Sequence, residues 1–316
     1  MMSLTRPSFA KINWTLEVLG RRPDGYHELR TILQTIDLAD TLHFRLREAG
    51  TILTCDHPGV PLGEENLVFR AATLLREAVG CDQGVEIAIE KRLPMGGGLG
   101  GGSSNAAVTL LALQELWGVA LPTSDLFRLA SRLGADVPFF LLGGTCLGVG
   151  RGDEVYPLPE LEATTLLLVN VGISVQTPEV YRNLPPELTK AGPVDMMPLS
   201  LDLVYHRELL LSDWRTDPIG SIARRMINDL ERPVFPRHPQ LREIKQTLSE
   251  CGARSALLSG SGSTVFAIFD NDQIREEALR HCQSLGWGAT RARTLTRSDY
   301  RRALSPVPPQ EGLLPA

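Results

Sequence analysis

Residues 93–107 read LPMGGGLGGGSSNAA, and six of the seven positions from Gly96 to Gly102 are glycine. Glycine at that density costs conformational entropy, so a chain keeps it where the backbone must take positive φ or where something must approach the backbone closely. A stretch with almost no side chains has one chemistry to offer, that of its own N–H groups. Those groups can cradle an anion, most simply a phosphate.

The flanks say how the loop is held. Upstream, VEIAIEKRL alternates Val85, Ile87 and Ile89 with Glu86, Ala88 and Glu90, the period of a half-buried strand. Downstream, AAVTLLALQELWG carries Leu110, Leu113, Leu116 and Trp117 at helical spacing, with Gly118 as a stop and Ser103, Ser104 or Asn105 as the cap. Strand, glycine loop and helix together bring unpaired N–H groups and the positive end of a helix dipole onto one spot. Two familiar phosphate loops fit poorly. G-x-G-x-x-G is satisfied by any polyglycine, and about 20 residues on, where a dinucleotide fold wants an acid, the chain is near Leu121. A Walker A loop ends in Gly-Lys-Ser/Thr, whereas Gly102 is followed by Ser103 and Ser104. A flexible hinge is the remaining alternative, but such linkers rarely join a strand and a helix so tightly.

PMGGGLGGGSSNAA resembles the second motif of the GHMP kinases (galactokinase, homoserine kinase, mevalonate kinase and phosphomevalonate kinase), P-x-x-x-G-L-G-S-S-A-A. The resemblance covers nearly the whole chain, through PSFAKINWTLEVLGRRPDGYHEL, LGADVPFF, GVGRGDEV and ALLSGSGSTVFAIF, in that order. It implies an α+β, two-domain GHMP kinase fold. An ATP-binding domain of ribosomal-protein-like topology would occupy 1–162 and a ferredoxin-like domain 163–304, with the active site between them. The expanded glycine loop is similar to that of the branch that phosphorylates the tertiary 2-hydroxyl of the cytidyl diphosphate of methylerythritol, in the non-mevalonate isoprenoid pathway. ATP and Mg2+ are then the expected cofactors.

Carried over residue by residue, the resemblance makes Pro94, Gly96, Gly97, Gly98, Leu99, Gly100, Gly101, Gly102, Ser103 and Ser104 the phosphate loop, with Asn66 and Lys91 by the nucleotide base. A turn or cap residue and a strand-end lysine are the plain readings of those two. Asp136 is the candidate base, with a helix N-cap as its other reading, and the two are compatible. Lys11 would hold Asp136 ionised and offset charge on the transferred group; a solvent-facing strand lysine is its alternative. Tyr26 and His27 follow a Pro-Asp-Gly turn, and the resemblance implies that one stacks on cytosine while the other hydrogen-bonds its edge. Asn13, Thr177 and Tyr181 match further substrate-side positions, with Tyr181 standing where the family has phenylalanine. SGSGST, residues 259–264, is the third motif, which the resemblance packs near the phosphate site to close the cleft behind the glycine loop; a plain turn between two strands is its other reading. No acidic metal ligand stands out.

The remaining chain agrees. With 316 residues and 43% hydrophobic content it can bury a substantial core, and its net charge of −5 argues against a general nucleic-acid binder. Five scattered cysteines, an odd number without C-x-x-C, suggest neither disulfides nor zinc and fit a reducing compartment. No apolar run approaches a membrane span and no signal-peptide pattern opens the chain, so the expectation is a cytoplasmic monomer or homodimer acting on small molecules. Helices are expected after Glu65, over LPTSDLFRLASRLG with a cap near Ser124, over HPQLREIKQTLSECG and over QIREEALRHCQSLG. Strands are expected at TTLLLVNV, SALLS, TVFAIF and GATRARTL, with TKAGPVDMMPLS an irregular connection and 305–316 a disordered tail. Two other functions stay open: a kinase of the same family acting on homoserine or mevalonate, and a non-catalytic RNA-binding module, which no basic stripe supports.

Overall fold

A computed structural model of the chain describes residues 2–189, 220 and 223–305. The connection read from TKAGPVDMMPLS lies outside them after Thr189, and so does the tail after Ser305. In chain order the elements are β1 (Ser3–Arg21), β2 (His27–Arg47), β3 (Thr51–Cys55), α1 (Leu67–Val79), β4 (Gly84–Glu90), α2 (Gly101–Leu116), α3 (Thr123–Leu133), α4 (Val137–Leu142), β5 (Thr145–Gly150) and β6 (Glu154–Pro157). There follow β7 (Thr165–Asn170), α5 (Thr177–Arg182), α6 (Pro186–Thr189), β8 (Ile227–Asn228), α7 (Glu231–Val234), α8 (Pro239–Glu250), β9 (Ser255–Leu258), β10 (Val265–Ile268), α9 (Asp272–Ser284), β11 (Gly288–Arg293) and α10 (Arg297–Leu304).

The first sheet has strand order β3-β4-β2-β1-β8, with β5 on β2 and β6 on β5; the second is β11-β7-β10-β9, antiparallel throughout. This is the α+β arrangement expected. The chain passes from one sheet to the other between Pro157 and Thr165, and β8 returns to pair in parallel with β1.

Three cores hold it together. In the first, helices α1 to α4 bury Leu75, Leu113 and Phe140 against Phe44 and Ile87 of the first sheet. In the second, α8 and α9 bury Leu241, Ile244 and Leu279 against Leu167, Val169 and Val265. The third lies where the sheets meet, with Ile12, Trp14 and Ile36 against Leu166, Leu168, Phe266 and Ile268. This explains why TTLLLVNV is apolar without alternation. Odd and even residues of β7 face two different cores, so both of its faces are buried.

Two expected caps are corrected. Helix α2 begins at Gly101 with Gly100 as its N-cap, at φ +69° and without a side-chain bond, so Ser103, Ser104 and Asn105 lie inside its first turns. The glycine run supplies the left-handed turn itself, which lets the helix start before any polar side chain is reached. Likewise α3 starts at Thr123 behind Pro122, and Ser124 is a helical residue rather than the cap. Gly118 does end α2, at φ +63°.

Candidate active site

The loop between β4 and α2 is held by its carbonyls. Ser263 N donates to Gly96 O (3.1 Å), Thr264 N to Gly97 O (3.1 Å), Ser259 Oγ to Gly98 O (3.0 Å) and Lys11 N to Leu99 O (2.9 Å). A trans peptide plane points its N–H opposite to its C=O. With four successive carbonyls committed to the protein, the N–H groups of Gly97, Gly98, Leu99 and Gly100 point the other way, and all four residues line the cleft. SGSGST is thus more than a turn between strands; it is the second layer that orients the loop. The close approach makes glycine obligatory at Gly98, at φ +73°, where a Cβ would meet Ser259 O at 2.0 Å. Gly102 is different: a Cβ there would meet only Leu67 Cδ1, at 3.9 Å.

Ser103 lines the cleft beside these glycines. Ser104 does not: one step along a helix is a 100° turn, and its buried hydroxyl instead accepts from Ser8 Oγ at 2.8 Å.

Facing the loop are two charged side chains. Lys11 stands on β1, only 3% exposed, with Nζ 2.6 Å from Asn13 Oδ1 and 3.5 Å from Asp136 Oδ2. It shares a face with Asn13, since Ala10, Ile12 and Trp14 alternate with them into the core between the sheets. It is therefore not the solvent-facing strand lysine of the alternative reading. Asp136 occupies the N-cap position of α4 but accepts no helix N–H. Its carboxylate points at Lys11, half open to the cleft, and Pro138 in the first turn has no N–H to offer.

At one end of the cleft, Asn66 caps α1 by accepting from Val68 N (2.9 Å) and donates to Pro61 O (2.7 Å). Lys91 lies near it, with its ammonium 2.6 Å from Asp40. Sequence reading missed Asp40. It is fully buried on β2, and it also accepts from Arg92 N (2.8 Å), Leu93 N (2.8 Å) and Asn105 Nδ2 (3.2 Å), so one carboxylate ties together the entry of the loop and the start of α2. Its parity was the available signal: Asp40 shares an inward face with Leu42 and Phe44, where an acid must have partners.

At the other end, rings gather from both halves. His27, first residue of β2, stacks on Tyr181 of α5 with centroids 5.2 Å apart and planes 25° from parallel. Burial and the neighbouring Arg21 hold the His27 imidazole below its usual range, which favours the neutral ring. Burial pushes the Tyr181 hydroxyl up, with Asp136 adding to it. Tyr26 is 57% exposed, and the Arg151 guanidinium sits over one face at 5.1 Å, leaving the other open. Thr177 Oγ1 is bonded to Ser261 Oγ at 2.7 Å, joining α5 to the SGSGST turn.

Every site residue expected from the sequence except Ser104 lines one cleft of about 1270 Å³, Pro94 and Gly101 included. That is more than a drug-sized ligand occupies and suits two nucleotide-sized ones. An anion site, an ion pair and an aromatic slot share it. Among the described residues no group of three or more His, Cys, Asp or Glu is arranged to hold a metal.

The GHMP kinases N terminal domain profile matches residues 66–144 and the GHMP kinases C terminal profile matches 210–286. A 4-diphosphocytidyl-2-C-methyl-D-erythritol kinase of Geobacter sp. (strain M21) is 41% identical over 288 residues, covering 90% of this chain and 97% of its own. The enzyme of that name from Solibacter usitatus is 42% identical over 305 residues, covering 95% and 92%. A crystal structure of 4-(cytidine 5'-diphospho)-2C-methyl-D-erythritol kinase superposes with a TM-score of 0.72 at 38% identity, over 92% of this chain and 99% of the other. Homoserine kinase from Cytophaga hutchinsonii reaches a TM-score of 0.69 at 19% identity, over 93% and 95%, a likeness of fold alone.

Proposed function

The chain belongs to the GHMP kinases and, among them, to the 4-diphosphocytidyl-2-C-methyl-D-erythritol kinases, and from that premise we propose how its cleft works. It transfers the γ-phosphoryl group of ATP to the 2-hydroxyl of 4-diphosphocytidyl-2-C-methyl-D-erythritol, a step of the non-mevalonate isoprenoid pathway. Residues 1–162 are read as the ATP-binding domain and 163–304 as its ferredoxin-like partner.

The N–H groups from Gly97 to Ser103 hold the β- and γ-phosphates at the positive end of α2, and the base lies toward Asn66 and Lys91. Phosphoryl transfer has a loose transition state, so the protein's task is chiefly to position the groups and stabilise charge. Asp136 takes the hydroxyl proton late, when its own weak basicity suffices. Lys11 keeps Asp136 ionised and offsets charge on the equatorial phosphoryl oxygens. The open face of Tyr26 stacks on cytosine, His27 donates to the ring nitrogen, and Tyr181 fixes the plane of the imidazole by stacking on it. Asn13 and Thr177 border the remainder of the substrate.

A divalent cation such as Mg2+ would supply charge neutralisation for the transferred phosphoryl group. The Ser103 hydroxyl is the protein group that would reach it, which suits an ion held mainly by phosphate oxygens and water. The compartment assigned is the reducing cytoplasm, on five cysteines that are all free thiols.

One observation carries this reading: the Lys11–Asp136 pair faces the glycine loop in the same cleft that ends in Tyr26, His27 and Tyr181. Phosphorus NMR of a reaction with ATP and the cytidyl substrate tests it. The expected result is one new phosphomonoester per ADP; ADP appearing with inorganic phosphate instead would contradict transfer to the alcohol.

A further inference from the structure

We infer that Thr31 is a positioning residue for this transfer, because its hydroxyl fixes which end of the Asn13 side-chain amide faces Lys11. The inference rests on the reading that Lys11 and Asp136 carry the reaction.

A hydroxyl has one hydrogen to donate. Thr31 gives its hydrogen to Thr15 O at 2.6 Å. What remains on that oxygen are lone pairs, and Asn13 Nδ2 donates to them at 2.7 Å. An amide nitrogen donates and its oxygen accepts, so Nδ2 toward Thr31 leaves Oδ1 toward Lys11, where Nζ lies at 2.6 Å. The reversed amide would set its NH2 against an ammonium and its oxygen against a hydroxyl whose hydrogen is already used. Both contacts would be repulsive.

Burial gives this arrangement its weight. Thr31, Asn13 and Lys11 are each at most 4% exposed, so water does not replace a lost partner. The strand geometry is built for it. The β1–β2 register shifts between Asn13 and Thr15, and the Thr15 hydroxyl accepts from Ile32 N at 3.1 Å, which pins the bulge beside Thr31. The order of action is therefore backbone carbonyl, Thr31, Asn13, Lys11 and then Asp136, with each group fixing the next.

Thr31→Val keeps the shape and removes the hydroxyl; Thr31→Ser keeps the hydroxyl. Thr31→Val is expected to lower kcat about tenfold or more, the scale of one buried donor left unsatisfied, with KM for ATP within about twofold of wild type. Thr31→Ser restores most of the loss. A double-mutant cycle supplies a readout that packing would not move. In Asn13→Asp the two oxygens of the carboxylate are equivalent, there is no wrong end, and adding Thr31→Val changes kcat little further. Should Thr31→Val not fold, Thr31→Ala takes its place in the cycle. Wild-type kcat in Thr31→Val, an equal loss in Thr31→Ser, or an undiminished effect in the Asn13→Asp background would each overturn the inference. Lys11→Met is measured in parallel. If it keeps its turnover, the reading of the site falls; if it loses turnover while Thr31→Val does not, only the role of Thr31 falls.

Discussion

At the scale of the residue, Asp136 separates two roles that its sequence context left joined. It holds the N-cap position of α4, yet its carboxylate caps nothing and lies 3.5 Å from Lys11. Asp136→Asn removes no helix cap, so a fall in the unfolding midpoint would report the lost pairing with buried Lys11, while kcat should drop on the order of 10²-fold with ATP and the cytidyl substrate still bound; near-normal turnover in a folded variant would remove Asp136 from the chemistry. His27 offers a pH test. Its pKa is depressed from an ordinary 6.5 by burial and then by Arg21, so the fold favours the neutral ring. That contribution to stability is present above the unfolded value and is lost as pH falls through the lower folded one. From neutral pH to about pH 5, urea midpoints of the wild type should fall more steeply than those of His27→Asn. Parallel curves would show that burial of this imidazole carries no linked proton.

At the scale of the element, the glycine loop sorts its own positions. Gly98 and Gly100 serve the fold: a Cβ on Gly98 would strike Ser259 O, and one on Gly100 would lie 2.9 Å from Phe140 Cζ and 3.1 Å from Lys11 Cγ. A variant at either position confounds ATP binding with strain. Gly102 has room for a methyl group as far as the protein is concerned, and it lies in a helix, where alanine is favoured by about 0.5–1 kcal/mol. Gly102→Ala should thus hold or raise the unfolding midpoint and still raise KM for ATP several-fold, because only the bound phosphate requires that space. Unchanged ATP affinity in this variant would argue against close approach at Gly102. The strand, the loop and the helix were legible from the alternation of Val85, Ile87 and Ile89 and the spacing of Leu110, Leu113 and Leu116. The individual contacts of the loop were not: the resemblance put SGSGST behind it, but Ser259, Ser263 and Thr264 lie more than 150 residues away in sequence and local pattern carries no trace of which atoms meet. The helix start was misplaced because capping rules look for polar side chains, and here a left-handed glycine turned the chain.

At the scale of the molecule, the third core decides whether the two ends of the cleft face each other. Trp14 of the first sheet meets Phe266 of the second edge-on, with centroids 5.6 Å apart, and both are buried. Phe266→Ala should cost about 3–5 kcal/mol, read from the unfolding midpoint, as a cavity opens between the sheets. A loss below about 1 kcal/mol would mean that the sheets are held by other contacts. The four strands of the second sheet were legible one by one, whereas of the first only β4 and the stretches at Lys11 and after Tyr26 were. The meeting of the sheets was not, since Trp14 and Phe266 look like ordinary core residues in the sequence. Lys11 and Asp136 serve an alcohol delivered on a cytidyl diphosphate, and ADP release with a panel of 4-diphosphocytidyl-2-C-methyl-D-erythritol, homoserine, mevalonate and galactose measures this. Saturable ADP release is expected with the cytidyl compound at a kcat/KM at least about 10³-fold above the other three, since polar groups placed to hydrogen-bond one base are left unpaired without it. Comparable or higher kcat/KM with homoserine or mevalonate would contradict it.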